Sequence, residues 1–545
     1  MKLKFIIIGL FTAASALTAC NSILDIKPTD QVSDPLLWSN QDMVLTYTGN
    51  FYAKLNSGFE KPHIGASIFT GNLLSALTDD GEVNGTTFAT YWNGAFDSSN
   101  SPLNGMWGSD RWIYIRRANL FLANVDQVPG DQELNKRMKA EIRFLRAYYY
   151  YDLMQWFGPL PIISEAQDDV GESAFVAKAS KEEFYRFLID ELAEAALYLP
   201  KSYSSSNWGR VTKGAALMLK GRVELYAQQW ASAAKTAKEI MDLDVYSLPA
   251  DYASVFSNKN KMNTEIILSV QANGIRTERY HSFDIMNQPP AFGGRGGTLP
   301  TQNLVDAYEM KATGLPITDP QSGYDPQAPY EGRDPRLAAT VLYDGAQYRG
   351  RPMQLHDGGL DMVASGGMVP GWVTSTGYYL RKYTDEAFNI ADATIGSSQN
   401  WILMRYAEVL LNYAEAQNEA AGPGQEVYKV INDVRKRAGM PGLKAGLSKD
   451  EMRAAIRQER RVELAFEDTR YWDVKRWRLA TELFSTQKNP LKKMEIKLDV
   501  MTGKKTYTVR NLTKVRVFEE KHYNFPFPLT EINKPANKIE QNTGW

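Results

Sequence analysis

The chain has one cysteine, Cys20, in 545 residues, so no disulfide can form within a monomer and packing alone must hold the fold. Its four histidines, His63, His281, His356 and His522, stand apart with no metal-ligand spacing and no cysteine partners. That excludes the usual transition-metal motifs. Neither sign of charge dominates: 62 basic side chains face 63 acidic ones, which leaves no electrostatic footprint for nucleic acid. G-x-S-x-G is missing, no strand-loop-helix context carries GK[ST], and "GGRGG" at 293 to 297 does not fit G-x-G-x-x-G. "DGEVNG" at 80 to 85 imitates the start of a calcium loop through Asp80, Glu82, Asn84 and Gly85. The twelfth position is Tyr91, where a bidentate Glu is required, so an ordinary turn is expected. No cofactor or metal is expected.

Long hydrophobic runs are also scarce. Lys2 and Lys4 precede an apolar stretch from Phe5 to Leu17, too short to span a bilayer and typical of an export leader. Leu17, Thr18, Ala19 and Cys20 fit the bacterial lipobox, an aliphatic residue, two small residues and cysteine. Cleavage before Cys20 would remove residues 1–19 and leave the thiol to carry lipid; ordinary signal cleavage with an incidental free thiol is the alternative. At roughly 0.8 kcal/mol per buried methylene, several palmitate-type chains make a stable anchor. Loss of Lys2 and Lys4 leaves 60 basic against 63 acidic side chains, a net charge of −3. No later stretch approaches the length of a membrane span.

Two helix-rich regions flank an irregular one. From about 103 to 242, apolar residues recur at helical spacing, as in Trp107, Tyr114, Ile115, Ala118, Leu122 and Val125. "GAALMLKGRVELYAQQWASAAKTAKEIM", 214 to 241, reads as a helical hairpin with small residues where the backbones meet, the packing of tetratricopeptide-type repeats. "RYAEVLLNYAEAQNEA" at 405 to 420, followed by "EVYKVINDVRKRAG" at 426 to 439, repeats it. With "KEEFYRFLIDELAEAALYLP" at 181 to 200, about four hairpins are expected. The fold class is mainly α, a tetratricopeptide-like helical scaffold.

Between roughly 245 and 400 the chain is turn-rich, with short apolar runs such as "EIILSV" that read as strands. Segments of this length without regular elements are more often functional than filler, so a ligand-binding face is expected there. Aromatic residues on loops can stack on the apolar face of a sugar. Tyr91 and Trp92 in "TFATYWNGAF", Trp372 and Tyr378 in "PGWVTSTGYY", and Asp80 beside them are the candidate ligand contacts.

An enzyme reading rests on "IRQERRVELAFEDTRYWDVKRW", 456 to 477, where Glu459, Glu463 and Glu467 fall four apart on one helical face. Paired carboxylates serve glycoside hydrolysis. Arg460, Arg461 and Arg470 surround them, however, and neighbouring guanidinium groups favour the ionised form, a poor general acid. An ion-pair network between helices is the favoured reading.

Seven stretches in order resemble the SusD/RagB family of outer-membrane lipoproteins: "CNSILDIKP" at 20 to 28, "AEIRFLRAYYYYDLMQWFGPLPII" at 140 to 163, "GRVTKGAALMLKGRVELY" at 209 to 226, "GRDPRL" at 332 to 337, "LMRYAEVLLNYAEAQNE" at 403 to 419, "ERRVELAFEDTRYWDVKRW" at 459 to 477 and "NFPFPLTEINKPANKIEQNTGW" at 524 to 545. The resemblance covers essentially the whole chain after the leader. It implies a surface-exposed, non-catalytic protein, lipid-anchored in the outer membrane through Cys20. Such a protein binds oligosaccharide and passes it to a SusC-like TonB-dependent transporter. It also implies three regions after the leader: 20–240 helical, 241–400 loop-rich and facing the ligand, 401–545 helical. Peptide capture on the same architecture is the alternative, followed by a helical glycosidase using Glu463 or Glu467. The matching stretches are scaffold, so the resemblance transfers no ligand residue.

Overall fold

The computed structural model describes residues 34 to 59, 71 to 84, 88 to 108, 110 to 167, 175 to 275, 278 to 362, 372 to 392 and 394 to 545. The expected leader, residues 1–19, and Cys20 lie outside the described residues. The fold is mainly helical, with 44% helix and 9% strand. In chain order the longer helices are α1 (Gln41–Tyr52), α2 (Asp110–Asn124), α3 (Gln132–Phe157), α4 (Lys181–Tyr198), α5 (Lys213–Tyr226) and α6 (Trp230–Met241), followed after the irregular region by α7 (Tyr406–Ala421), α8 (Gln425–Arg437), α9 (Lys449–Glu463) and α10 (Thr469–Arg476).

Local chemistry sets the ends. The Ser180 and Ser448 hydroxyls accept from the backbone N–H of Glu183 and Glu451, whose carboxylates reach back to the cap N–H. Each such box is worth about 1 kcal/mol and fixes where α4 and α9 begin. α3 stops at Gly158, whose φ of +76° suits a residue without a side chain. Tyr149 and Tyr150, fully buried on α3, donate their hydroxyls to the carbonyls of Phe51 and Ile163. Aromatic bulk is thereby buried without an unpaired polar atom.

Consecutive helices pack side by side from α2 to α6, and α7 packs on α8 and α9. Of the small residues of the 214 to 241 stretch, Ala215, Ala216, Gly221, Ala233, Ala234 and Ala237 are buried, whereas Ala231 is exposed. A long-range contact joins the two helical regions, because α6 lies along α7. The strands are short and antiparallel. β1 (Gly81–Val83) pairs with β3 (Thr298–Pro300), β2 (Ile266–Val270) with β4 (Trp401–Arg405), and β5 (Lys492–Leu498) with β6 (Lys505–Asn511). "EIILSV" does form a strand, and "DGEVNG", expected as an ordinary turn, contributes β1. A large core fills the helical part; a second, built on Phe283, Leu299, Tyr308, Tyr348, Tyr379 and Trp401, lies under the irregular region. No helix among the described residues is long and apolar enough to cross a membrane.

Candidate functional site

The charged string at 456 to 477 folds into the interior. α9 ends at Glu463, and Phe466 and Asp468 adopt left-handed backbone, φ +59° and +62°, before α10 begins. Glu467 therefore sits on a turn, which corrects the expectation of three glutamates on one helix face. Side-chain reach still gathers them. Arg405 lies 2.6 Å from Glu265, 2.7 Å from Glu463 and 2.6 Å from Glu467. Arg336 bridges Asp334, Glu459 and Glu463, Arg437 joins Glu265 and Glu463, and Lys382 meets Glu467 at 2.6 Å. Burial alone would raise the Glu463 carboxyl; Arg437, Arg405 and Arg336 outweigh it and hold the group well below the carboxylate range. Burial raises the Glu467 carboxyl too, and Arg405 and Lys382 outweigh it and lower the group. A carboxylate kept ionised inside an ion cluster is a poor proton donor to a glycosidic oxygen.

The nominated ligand residues separate on inspection. Asp80 is 1% exposed, with Arg461 2.7 Å away and Asp79 sharing the same guanidinium. Trp92 lies in a short helix, Ala89–Asn93, and is 5% exposed, with Lys514 4.0 Å and Arg516 5.2 Å from its ring. Tyr91 beside it is half-buried against Trp156 and Phe525. Tyr91 and Trp92 border a cavity of only about 20 Å³. Tyr378 is fully buried and donates its hydroxyl to Gln302. Asp80, Trp92 and Tyr378 are interior residues, and their expected display on surface loops is corrected. The reason in each case is a long-range partner that local sequence does not reveal. Trp372 differs: it is half-buried, with the Arg295 guanidinium 5.0 Å over its ring, on a loop held by Asn84 Nδ2 donating to the Val373 carbonyl at 3.0 Å.

A different place has the shape of a binding site. The segment that follows α1, the N-terminal end of α2, residues 270 to 272 and 278 to 281, and Gln399 enclose a cleft of about 670 Å³. Ligand pockets commonly measure roughly 300 to 1,000 Å³. Its walls are polar: Lys54, Asn56, Asp110, Arg111, Gln271, Glu278, Arg279 and Gln399 converge there. The wall is braced from behind. Arg111 Nε donates to Asp152 at 2.9 Å and its Nη1 to the Lys54 carbonyl at 3.2 Å. Lys54 pairs with Asp110 and holds that carboxyl below its ordinary value. The Arg279 carbonyl accepts from Asn273 and Gly274 N–H, both at 2.9 Å, and closes the loop that carries Tyr280.

Tyr280 is 38% exposed over this cleft, and Gly396 lies against it so closely that a Cβ there would come within 2.5 Å of the ring. His281 next to it turns inward, its ring tilted at 31° against Phe59 with centroids 4.4 Å apart, and its Nε2 2.9 Å from the Gln399 carbonyl. Burial pushes its imidazole down to about 4, so it is neutral at physiological pH. The cleft thus presents one aromatic face among hydrogen-bonding groups, an arrangement suited to a ring with one apolar and several hydroxyl-bearing sides. An apolar groove of about 520 Å³ beside Trp112, Ile113 and Phe175 lacks that density of polar side chains. Among the described residues no group of three or more His, Cys, Asp or Glu could hold a metal. Sequence reasoning passed over Tyr280 because it sought aromatics in glycine- and asparagine-rich loops. The available signal was an aromatic set between charged residues, "TERYHS", without helical or alternating periodicity.

Comparison with known proteins agrees with this architecture. Residues 262 to 545 match the family model described as "SusD family", and residues 46 to 225 match one described as "Starch-binding associating with outer membrane". The chain is 25% identical over 510 residues to SusD-like protein P25 of Formosa agariphila, covering 88% of this chain and 90% of that one. It is 29% identical over 188 residues to the starch-binding protein SusD of Bacteroides thetaiotaomicron, covering 31% of this chain and 32% of that one. Among solved structures, a SusD-like protein from Bacteroides fragilis superposes with a TM-score of 0.80 at 27% identity, over 95% of this chain and all of that one. A SusD-like carbohydrate binding protein from the same species gives 0.77 at 27% identity, over 92% and 99%. Family models that together span most of the sequence, and a fold shared nearly end to end, show that the chain belongs to the SusD family.

Proposed function

We propose that this protein captures oligosaccharide in the cleft around Tyr280 and delivers it, uncleaved, to a SusC-like TonB-dependent transporter of the outer membrane. The observation that carries the reading is the cleft itself, an exposed aromatic ring among polar side chains on a braced wall. Its setting supports the reading: one matching family model is described as starch-binding and associated with the outer membrane, and a structural neighbour at 27% identity is described as carbohydrate binding. Lipid on Cys20 is the proposed anchor, and the three regions 20–240, 241–400 and 401–545 are the proposed division into scaffold, ligand face and scaffold. Trp372 with Arg295 is a proposed second contact on the same irregular region. The non-catalytic reading is supported by the fate of Glu463 and Glu467, both spent on buried arginines.

The test is a binding screen of the lipid-free protein against polysaccharides and peptide digests, following retention and new reducing ends together. Retention on a glycan class without new ends is the expected result. Retention of peptides alone moves the assignment to peptide capture, and new ends that vanish in Glu463→Gln or Glu467→Gln move it to a hydrolase.

A further inference from the structure

The two most exposed large apolar side chains among the described residues are neighbours: Val500 is 83% exposed and Met501 90%. They form the tip of the β5–β6 hairpin. The base of that hairpin is firmly seated, with Met494 and Ile496 buried, Met494 N–H donating to the Thr376 carbonyl at 2.9 Å and Asp357 N–H to the Ile496 carbonyl at 2.8 Å. The Gln327 amide brackets Tyr507 on the outer edge, accepting from its N–H at 3.1 Å and donating to its carbonyl at 3.2 Å.

The tip is built to hold its shape. Asp499 Oδ1 accepts from Met501 N–H at 2.9 Å and Thr502 N–H at 3.2 Å, while Gly503 N–H returns to the Asp499 carbonyl at 2.7 Å. That closure points Val500 and Met501 into solvent rather than letting them fold back. Around them the charge is one-sided. From Lys492 to Asn511 there are six basic side chains, Lys492, Lys493, Lys497, Lys504, Lys505 and Arg510, against two acidic ones, Glu495 and Asp499. Lys493 and Arg510 share Glu495, and Lys505 is paired with Asp344 on the body. Lys497 and Lys504, beside the tip, are exposed.

We propose that this hairpin is a membrane-contacting finger, with Val500 and Met501 entering the interfacial layer of an anionic lipid surface and Lys497 and Lys504 meeting its phosphates. Apolar residues at a rigid tip with cations just behind them match the layered polarity of such a surface. The rest of the chain carries 56 basic against 61 acidic side chains, so the basic excess is a property of this element. The finger assists the proposed lipid anchor. The fourteen residues from Cys20 to Asp34 reach at most about 50 Å, so a tethered body samples the surface at high local concentration and a weak contact suffices to orient it.

Production from residue 21 onward leaves a chain without cysteine, so Met501→Cys supplies a single thiol for a polarity-sensitive dye. The labelled protein is held through an N-terminal tag to vesicles of phosphatidylcholine, with or without phosphatidylglycerol. On anionic vesicles the dye emission should shift to the blue. The shifted fraction should fall about tenfold or more in Lys497→Glu/Lys504→Glu, and on neutral vesicles. It should fall likewise in about 0.5 M salt, where the screening length is roughly 4 Å. Val500→Asp should also abolish it, with the thermal transition unchanged because the residue is exposed. A dye that stays in a water-like environment on anionic vesicles, or that shifts equally after both lysines are reversed, overturns the proposal.

Discussion

Two polar regions of this molecule use the same residue types for opposite ends. Beneath α9, Glu265, Glu463 and Glu467 meet Arg336, Arg405, Arg437 and Lys382, all buried and each charge answered by another. In the cleft, Lys54, Asp110, Glu278 and Arg279 stand at the surface around an exposed ring. Burial is the difference. A charge removed from water must be fully paired, which fixes geometry and leaves nothing to offer a ligand. A charge left half in water keeps hydrogen-bonding capacity to exchange for that of a sugar. The cluster therefore serves the scaffold, and the cleft is the proposed ligand site.

The largest effect should come from the cluster. Glu463→Ala leaves three arginines short of a partner in the interior and should destabilise the fold by about 3–5 kcal/mol, read by chemical unfolding. Trp92→Ala should be of similar size, about 3–5 kcal/mol, because a buried indole is removed. Ligand retention measured below the lowered transition should be unchanged, which separates a core tryptophan from a binding one.

Lys475 sharpens the comparison from the other side, as a buried cation with rings in place of a carboxylate. Its Nζ donates to the Gln155 carbonyl at 3.1 Å and lies 5.1 to 5.7 Å from the rings of Trp156, Tyr471, Trp472 and Phe525. Burial, with Arg478 nearby, pushes its ammonium down to about 7. Below that pH, folded and unfolded chains both carry the proton and the burial penalty is complete. From about 7 up to the unfolded value near 10.4, the unfolded chain holds the proton that the folded chain has lost, so stability climbs with pH. Lys475→Met should raise stability by roughly 2–4 kcal/mol at about pH 6, after allowance for lost ring contacts, and flatten the climb. Unfolding midpoints across the alkaline range check it.

Much of the scaffold was legible because its signals are local. The helical spacing over 103 to 242, the small residues of α5 and α6 and the pairing of α7 with α8 are each specified within one turn or one hairpin. The interior of the irregular region was not. Nothing near Asp80 in the sequence announces Arg461, and nothing near Tyr378 announces Gln302. The aromatics of a loop are sorted into core and surface by contacts of long sequence separation. Composition located the loop-rich region, and only the three-dimensional arrangement picked Tyr280 out of it.

The central claim is that binding lives in the cleft and not in the buried residues that a loop-based reading favours. The most direct measurement is the affinity of Tyr280→Ala, beside the native protein and Trp92→Ala, for the glycan retained in the screen. The account predicts about a tenfold or greater loss for Tyr280→Ala with its thermal transition unmoved, and native affinity for folded Trp92→Ala. Native affinity in Tyr280→Ala, or a loss confined to Trp92→Ala, would contradict it.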